Sequence, residues 1–268
     1  PGLDGIAATR QLAGPGVADP LPVLVRTTFD IDDYVFGALE AGASGFLLKD
    51  ADPDLVVAAV RSVSEHHIEL DRIAEASPSA GTAREFGAVL ARMHDAGAAG
   101  FGAAPDHYDG QLFIGRRPMS RTVHATWGSF YIAERVLPFL RIAVDAGSVT
   151  DRQCRDIEAA CDLVAAGAFD DDDPPSRLHG DLWNGNVLWS PRGVVLIDPA
   201  AHGGHRETDL AMLALFGCPH LGRVVDGYEA AHPLRVGWEQ RVPVHQLHPL
   251  AVHAAGYGAG YGRELHRA

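Results

Sequence analysis

Apolar and polar positions follow two rhythms along this chain. From Leu21, "LPVLVRTTFD" is an apolar strand ending in hydroxyls, and "DDYVFGALEAGA" continues with helical spacing until Gly42. "SGFLLKDA" is a second short strand, and "DPDLVVAAVRSV" a second helix with Asp52 as N-cap and Pro53 in its first turn. Strand, helix, strand, helix predicts a parallel βαβ unit with a right-handed crossover. After Glu65 the rhythm changes. "HIELDRI" alternates like a strand, "AEASPSAG" is a small-residue connector, and "AREFGAVLARMH" is a helix with Phe86, Val89, Leu90 and Met93 on one stripe. The predicted fold class is therefore an α/β fragment (βαβα) followed by a mainly helical α+β lobe.

Within that lobe, "SRLHGD" reads as a short strand entering a turn. "NVLW" and "GVVLIDPA" read as two arms of a hairpin around Ser190, Pro191, Arg192 and Gly193, closed by Asp198. This brings Asp181, Asn186 and Asp198 to one end of a small sheet. Phosphoryl transfer from ATP needs such a set: a carboxylate to orient the attacking hydroxyl and take its proton, and an amide with a second carboxylate to hold Mg2+ against the phosphates. Asp181 is the expected base, and Asn186 and Asp198 the expected metal ligands. His179, two residues before the base, is expected to brace the loop. The run Asp170 to Asp173, followed by two prolines, reads as a solvated loop.

Composition narrows the partners. Of the 268 residues, 35 are acidic and 22 basic, a formal charge of -13 that argues against nucleic acid and anionic membrane surfaces. No apolar run is long enough to span a membrane, and "PGLDGIAATR" lacks the features of a signal peptide, so a cytoplasmic location is expected. Cys154, Cys161 and Cys218 are too scattered for a disulfide framework or a zinc site and read as buried thiols.

"HGDLWNGNVLW", with "LIDPAAHGGHRETDLAMLALFG" directly after it, resembles the fructosamine kinase (ketosamine-3-kinase) family, a branch of the aminoglycoside phosphotransferase and choline kinase group of protein-kinase-like folds. The match extends back through "FIG" and "WGSFYIAERVLPFLRIA" and forward through "VHQLHPLAVHAAGYGAGYG", covering about residues 67–268. The resemblance implies a kinase C-lobe that uses ATP and Mg2+ to phosphorylate a hydroxyl of a small-molecule or protein-bound ketoamine. It implies that Asp209, at the start of the helix "LAMLALFG", hydrogen-bonds the catalytic loop, with a simple N-cap as the other reading. It also places Trp127, Phe130 and Arg135 in the substrate-side lobe, although an aromatic stripe at helical spacing is more often core. His205, Arg206 and Glu207 are expected in a substrate loop or in its support, and Trp183 as a lid beside the sugar or a wedge under the loop. The family's glycine-rich phosphate turn, strand lysine and helix glutamate have no counterpart ahead of "HIELDRI", which matches the hinge strand of the nucleotide lobe. That departure leaves a catalytically impaired fusion, or pseudokinase, as the alternative, with little turnover expected.

Residues 1–63 resemble the second half of a response-regulator receiver domain: "PGLDG" matches the turn after the phospho-acceptor strand, Thr27 the switch hydroxyl and Lys49 the phosphate-contacting lysine. Asp4 belongs to the turn and would cap "GIAATRQLA", so phosphoryl acceptance is not expected, and a signalling regulator is the third reading. The expected organisation is a receiver-like segment over 1–64, a hinge-like strand and connector over 65–81, and the kinase-like lobe over 82–268. Strands Val23 to Arg26 and Phe46 to Leu48 are expected to share a small sheet with "HIELDRI".

Overall fold

The computed structural model of the chain describes residues 5–18, 20–21, 23–27, 40–48 and 73–268. The chain divides into two compact units, Pro1–Arg72 and Ile73–Ala268. In the first, helix α1 (Gly5–Ala13) precedes strands β1 (Leu24–Thr27) and β2 (Gly45–Leu48). The strands pair in parallel, Leu24 opposite Gly45 and Thr27 opposite Leu48, as the strand-helix-strand pattern predicts. Gly42 has φ +98°, and a Cβ there would lie 2.0 Å from the Ala13 carbonyl oxygen, so only glycine lets the chain pass the end of α1. Lys49, Asp52, Pro53 and most of "HIELDRI" lie outside the described residues, and with them the expected third strand.

The second unit runs α2 (Ala80–Asp95), β3 (Leu112–Ile114), β4 (Arg117–Met119), a long helix α3 (127–145), α4 (Asp151–Ala165), β5 (Ser176–Leu178), β6 (Val187–Ser190), β7 (Gly193–Leu196), β8 (His202–Gly204), α5 (Glu207–Phe216), α6 (Leu221–Ala231), α7 (Trp238–Tyr257) and α8 (Ala259–Arg267). Its strands form three antiparallel pairs: β3 with β4, β5 with β8, and β6 with β7. The unit is mainly helical, and among the described residues no helix is long and apolar enough to cross a membrane.

Two apolar cores organise these elements. One gathers Trp127, Phe130, Tyr131, Phe139 and Leu140 of α3 with Ile157 and Val164 of α4 and Leu247 and Leu250 of α7. The other joins Phe86 and Leu90 of α2, Leu182, Val187 and Trp189 around the hairpin, Leu210 and Leu213 of α5, and Val224 and Tyr228 of α6. Ser79 starts α2 by accepting from the Thr82 N–H at 3.1 Å.

The face that α2 buries differs from the predicted stripe. Ala83, Phe86, Gly87, Leu90, Ala91 and His94 are buried, whereas Val89 is 52% exposed. The cause is backbone contact with α6. A Cβ on Gly87 would stand 1.8 Å from the Val224 carbonyl oxygen, and one on Gly227 would stand 1.9 Å from that of Arg84. Two glycines thus draw the helices together and rotate the buried face toward Gly87.

Prolines explain two irregular helices. α3 has a π-helical turn over Tyr131–Val136 just before Pro138. Pro138 cannot donate to the Glu134 carbonyl, which accepts from Arg135 Nη1 at 3.1 Å instead. In α7, Pro249 frees the His245 carbonyl, and the Tyr131 hydroxyl donates to it at 2.7 Å.

Gly87→Ala and Gly227→Ala should each cost at least roughly 1–3 kcal/mol of stability by forcing α2 and α6 apart. Gly222→Ala, in the same α6 but with nothing within 4 Å of an added Cβ, should be neutral or stabilising by about 0.4–1 kcal/mol. Urea unfolding of the three variants checks this contrast, and equal effects would contradict the close approach.

Candidate active site

The turn after β5 is held from behind by one carboxylate. Asp209, 1% exposed in the first turn of α5, accepts the N–H of His179 on Oδ2 at 2.8 Å and that of Gly180 on Oδ1 at 3.0 Å. His94 Nε2 donates to the same Oδ2 at 3.1 Å. Gly180 has φ +81°, and a Cβ there would lie 2.2 Å from the Ala200 carbonyl oxygen, so the glycine of "HGD" is sterically required. His179, buried, accepts the Asp181 N–H on Nδ1 at 3.3 Å, and its Nε2 donates to the Ile197 carbonyl at 2.9 Å. One imidazole therefore ties the loop to the end of β7.

The hairpin then places the three expected residues. Leu182, fully buried, anchors the loop in the second core. Asn186 ends a short 3-10 turn (Asn184–Asn186), and its Nδ2 donates to the Asp181 carbonyl at 2.8 Å and to Asp181 Oδ2 at 3.3 Å. Strand register puts Val187 opposite Leu196, and the Ile197 N–H reaches the Asn186 carbonyl at 3.2 Å. Asp198, the next residue, thus lies at the same end of the hairpin as Asn186 and is exposed. Its φ of +50° is uncommon for a residue with a side chain and belongs to a backbone that its surroundings hold in place. Burial pushes the Asp181 carboxyl above its ordinary range, opposed by His179 and Asn186.

The oxygens on offer suit a hard cation. Because Asn186 spends its amide nitrogen on Asp181, its Oδ1 is the group left to bind, at the same end of the hairpin as the exposed Asp198.

Other predicted residues lie elsewhere. Trp127 is 3% exposed, stacked on Tyr131 at 4.8 Å and near His245 at 4.5 Å; it belongs to the core and cannot touch a substrate on the substrate side. His205, Arg206 and Glu207 are likewise buried rather than substrate-side. His205 Nε2 donates to Asp171 at 3.3 Å, Arg206 Nη1 to Asp95 at 3.0 Å, and Glu207 takes both Arg241 Nε, at 2.9 Å, and Arg241 Nη2. The aspartate run is therefore not a solvated loop: Asp170 Oδ1 accepts the Gly128 N–H at 2.7 Å at the start of α3, Asp171 pairs with His205 and Arg235, and Asp173 with Arg206. His205, Glu207 and His245, and separately Asp171, Asp173 and His205, bring metal-ligating atoms within 4.8 Å of one another. Arg206, Arg235 and Arg241 already balance those carboxylates, so neither group needs a cation. Trp183 is 42% exposed, its ring covering Gly185. Thr27 closes β1, in the first unit.

Sequence reasoning missed His94 and Tyr228. Both sit inside helical patterns where a buried polar residue looks like any other position. The aromatic residues around the carboxy terminus were also missed, although the repeated "GY" in "GYGAGYG" marks them.

A family model described as fructosamine kinase matches residues 53–268. The chain belongs to the fructosamine kinase family. Among curated relatives, an Enterococcus faecium protein described as a ketoamine kinase is 31% identical over 189 residues, 70% of this chain and 66% of its own. One from Lactiplantibacillus plantarum is 30% identical over 216 residues, 79% of this chain and 73% of its own. The chain spans about two thirds of the length of these relatives. Among solved structures, a Thermobifida fusca chain described as a fructosamine-3-kinase superposes with TM-score 0.68 at 50% identity, covering 73% of this chain and 66% of that one. The kinase-like fold follows from membership in this family. The family match begins inside the segment that resembles a receiver, and the receiver resemblance finds no support in these comparisons.

Behind the site, burial holds three histidines well below their ordinary value: His202 at about 3, His245 at about 4 and His248 at about 3. Their unfolded value is about 6.5. A depressed folded value means that the stability they contribute is complete above that pH and is lost as pH falls toward 4 and 3, at roughly 1.4 kcal/mol per pH unit for each histidine. Glu207, held at about 2 against burial by His245 and Arg241, adds loss only below the ordinary carboxylate range. The urea midpoint should therefore fall steadily from pH 7 to pH 5, and less steeply in His202→Asn. A flat midpoint over that interval would contradict the assignment.

Proposed function

We propose that residues 82–268 form the catalytic lobe of a cytoplasmic, ATP- and Mg2+-dependent kinase that phosphorylates a hydroxyl of a sugar-derived ketoamine, either a small molecule or a glycated amine on a protein. The observation that carries the reading is the contact of Asn186 with Asp181, at the same end of the hairpin as Asp198, on a loop fixed by Asp209.

Asp181 accepts the proton of the substrate hydroxyl as its oxygen attacks the γ-phosphorus, and the bond to the bridging oxygen breaks to release ADP. The half-buried position of Asp181 makes it a stronger base than a solvated aspartate. Asn186 Oδ1 and the Asp198 carboxylate would hold Mg2+, which when bound would neutralise phosphate charge. Asn186 also keeps Asp181 in place through its amide nitrogen. His179 and Asp209 act through the loop as positioning residues.

Incubation with ATP, magnesium and a fructosamine should transfer phosphate to the sugar only slowly, because the family's glycine-rich phosphate turn and strand lysine, which position the phosphates, have no counterpart ahead of "HIELDRI". Asp181→Asn should slow that transfer by at least about a hundredfold while leaving nucleotide binding intact. Asp198→Ala should instead remove the magnesium dependence of nucleotide binding. Transfer undiminished in Asp181→Asn would refute the proposal.

A further inference from the structure

Five aromatic side chains form a continuous wall that starts beside the catalytic loop. Trp183 meets Phe216 edge-on at 6.3 Å; Phe216 lies 4.7 Å from His253; and His253 lies 5.4 Å from Tyr257 and 4.9 Å from Tyr261. Local structure assembles it. Phe216 ends α5, His253 and Tyr257 are neighbours one turn apart on α7, and Gly258, with φ +91°, breaks the helix so that Tyr261 returns in the first turn of α8.

The wall meets the active site at Trp183, which follows Asp181 by two residues. Packing alone does not account for it, because Trp183 is 42% and Tyr257 74% exposed at its two ends. Exposed aromatic surface continuous with a catalytic loop is a binding feature.

We infer that this wall, from Phe216 to Tyr257, is the subsite for the amine substituent of the ketoamine, and that it selects substrates whose substituent is aromatic. The inference rests on the ketoamine kinase reading. With the reacting hydroxyl fixed at Asp181 and the sugar beside Trp183, the substituent is the part of the molecule that varies and extends away from the loop. The wall leads from there to solvent at Tyr257, and flat rings stack on it.

The test compares binding of fructosyl-benzylamine and fructosyl-methylamine to the whole chain by titration calorimetry. The wild-type protein should prefer the benzyl compound by roughly tenfold, about what one well-placed aromatic pair provides. Tyr257→Ala, at an exposed position where folding is not at stake, should reduce that preference to about twofold without weakening fructosyl-methylamine. Tyr257→Phe should keep it. Equal affinity for both compounds in the wild type, or Tyr257→Ala weakening both alike, overturns the wall as the substituent subsite and leaves the ketoamine reading intact. Binding of neither compound overturns the ketoamine reading, and the subsite falls with it.

Discussion

The buried carboxylate of Asp209 is the constraint on which the rest of the site depends. Desolvation alone would raise its pKa and protonate it, but three donors hold it below the ordinary aspartate range, with His94 the largest of these influences. Two of the three donors are consecutive backbone amides of the catalytic loop. The charge therefore stabilises a backbone conformation, and that conformation sets where Asp181 points. Because Gly180 has no side chain, the loop can press against Ala200 while both amides face Asp209.

A chain of hydrogen bonds fixes Asp209 in turn. Arg206 has only protons to give, so the Tyr228 oxygen accepts from its Nη1 at 3.2 Å. The Tyr228 proton then goes to His94 Nδ1 at 2.7 Å, which leaves Nε2–H for Asp209. Tyr228 and His94 lie on α6 and α2, the two helices brought into backbone contact by Gly87 and Gly227. Core packing and loop geometry are thus one problem: the glycine contact sets the distance between the helices, and that distance lets Tyr228 reach His94. The family's "GHRE" segment serves the same frame. Arg206 joins this chain, while His205 and Glu207 anchor the aspartate run and α7 from the other side.

Much of this was legible in the sequence because the relevant signals are local. The β6–β7 hairpin follows from alternation around a turn, and with "HGD" after a short strand it brings Asp181, Asn186 and Asp198 to one end of a small sheet. The helix over "AREFGAVLARMH" was legible too, but not the face it buries. Apolar periodicity favours Val89, whereas the backbone contact that decides the rotation needs Gly227, 140 positions away from Gly87. Asp170 to Asp173 misled for a similar reason. Four adjacent carboxylates look solvated until Arg206 and Arg235, distant in sequence, arrive beside them. Trp127, His205 and Glu207 carry types that suit a substrate site, and only burial separates that role from support.

Amide hydrogen exchange tests the role of Asp209 most directly. In the wild type, His179 and Gly180 should exchange slowly, as buried donors to a charged acceptor. In Asp209→Asn, which keeps the shape and loses the charge, these two amides should lose protection selectively, while amides in the middle of α2 and α6 keep theirs. Unchanged protection at His179 and Gly180 in that variant would contradict the account, because the loop would then be held by something other than the Asp209 carboxylate.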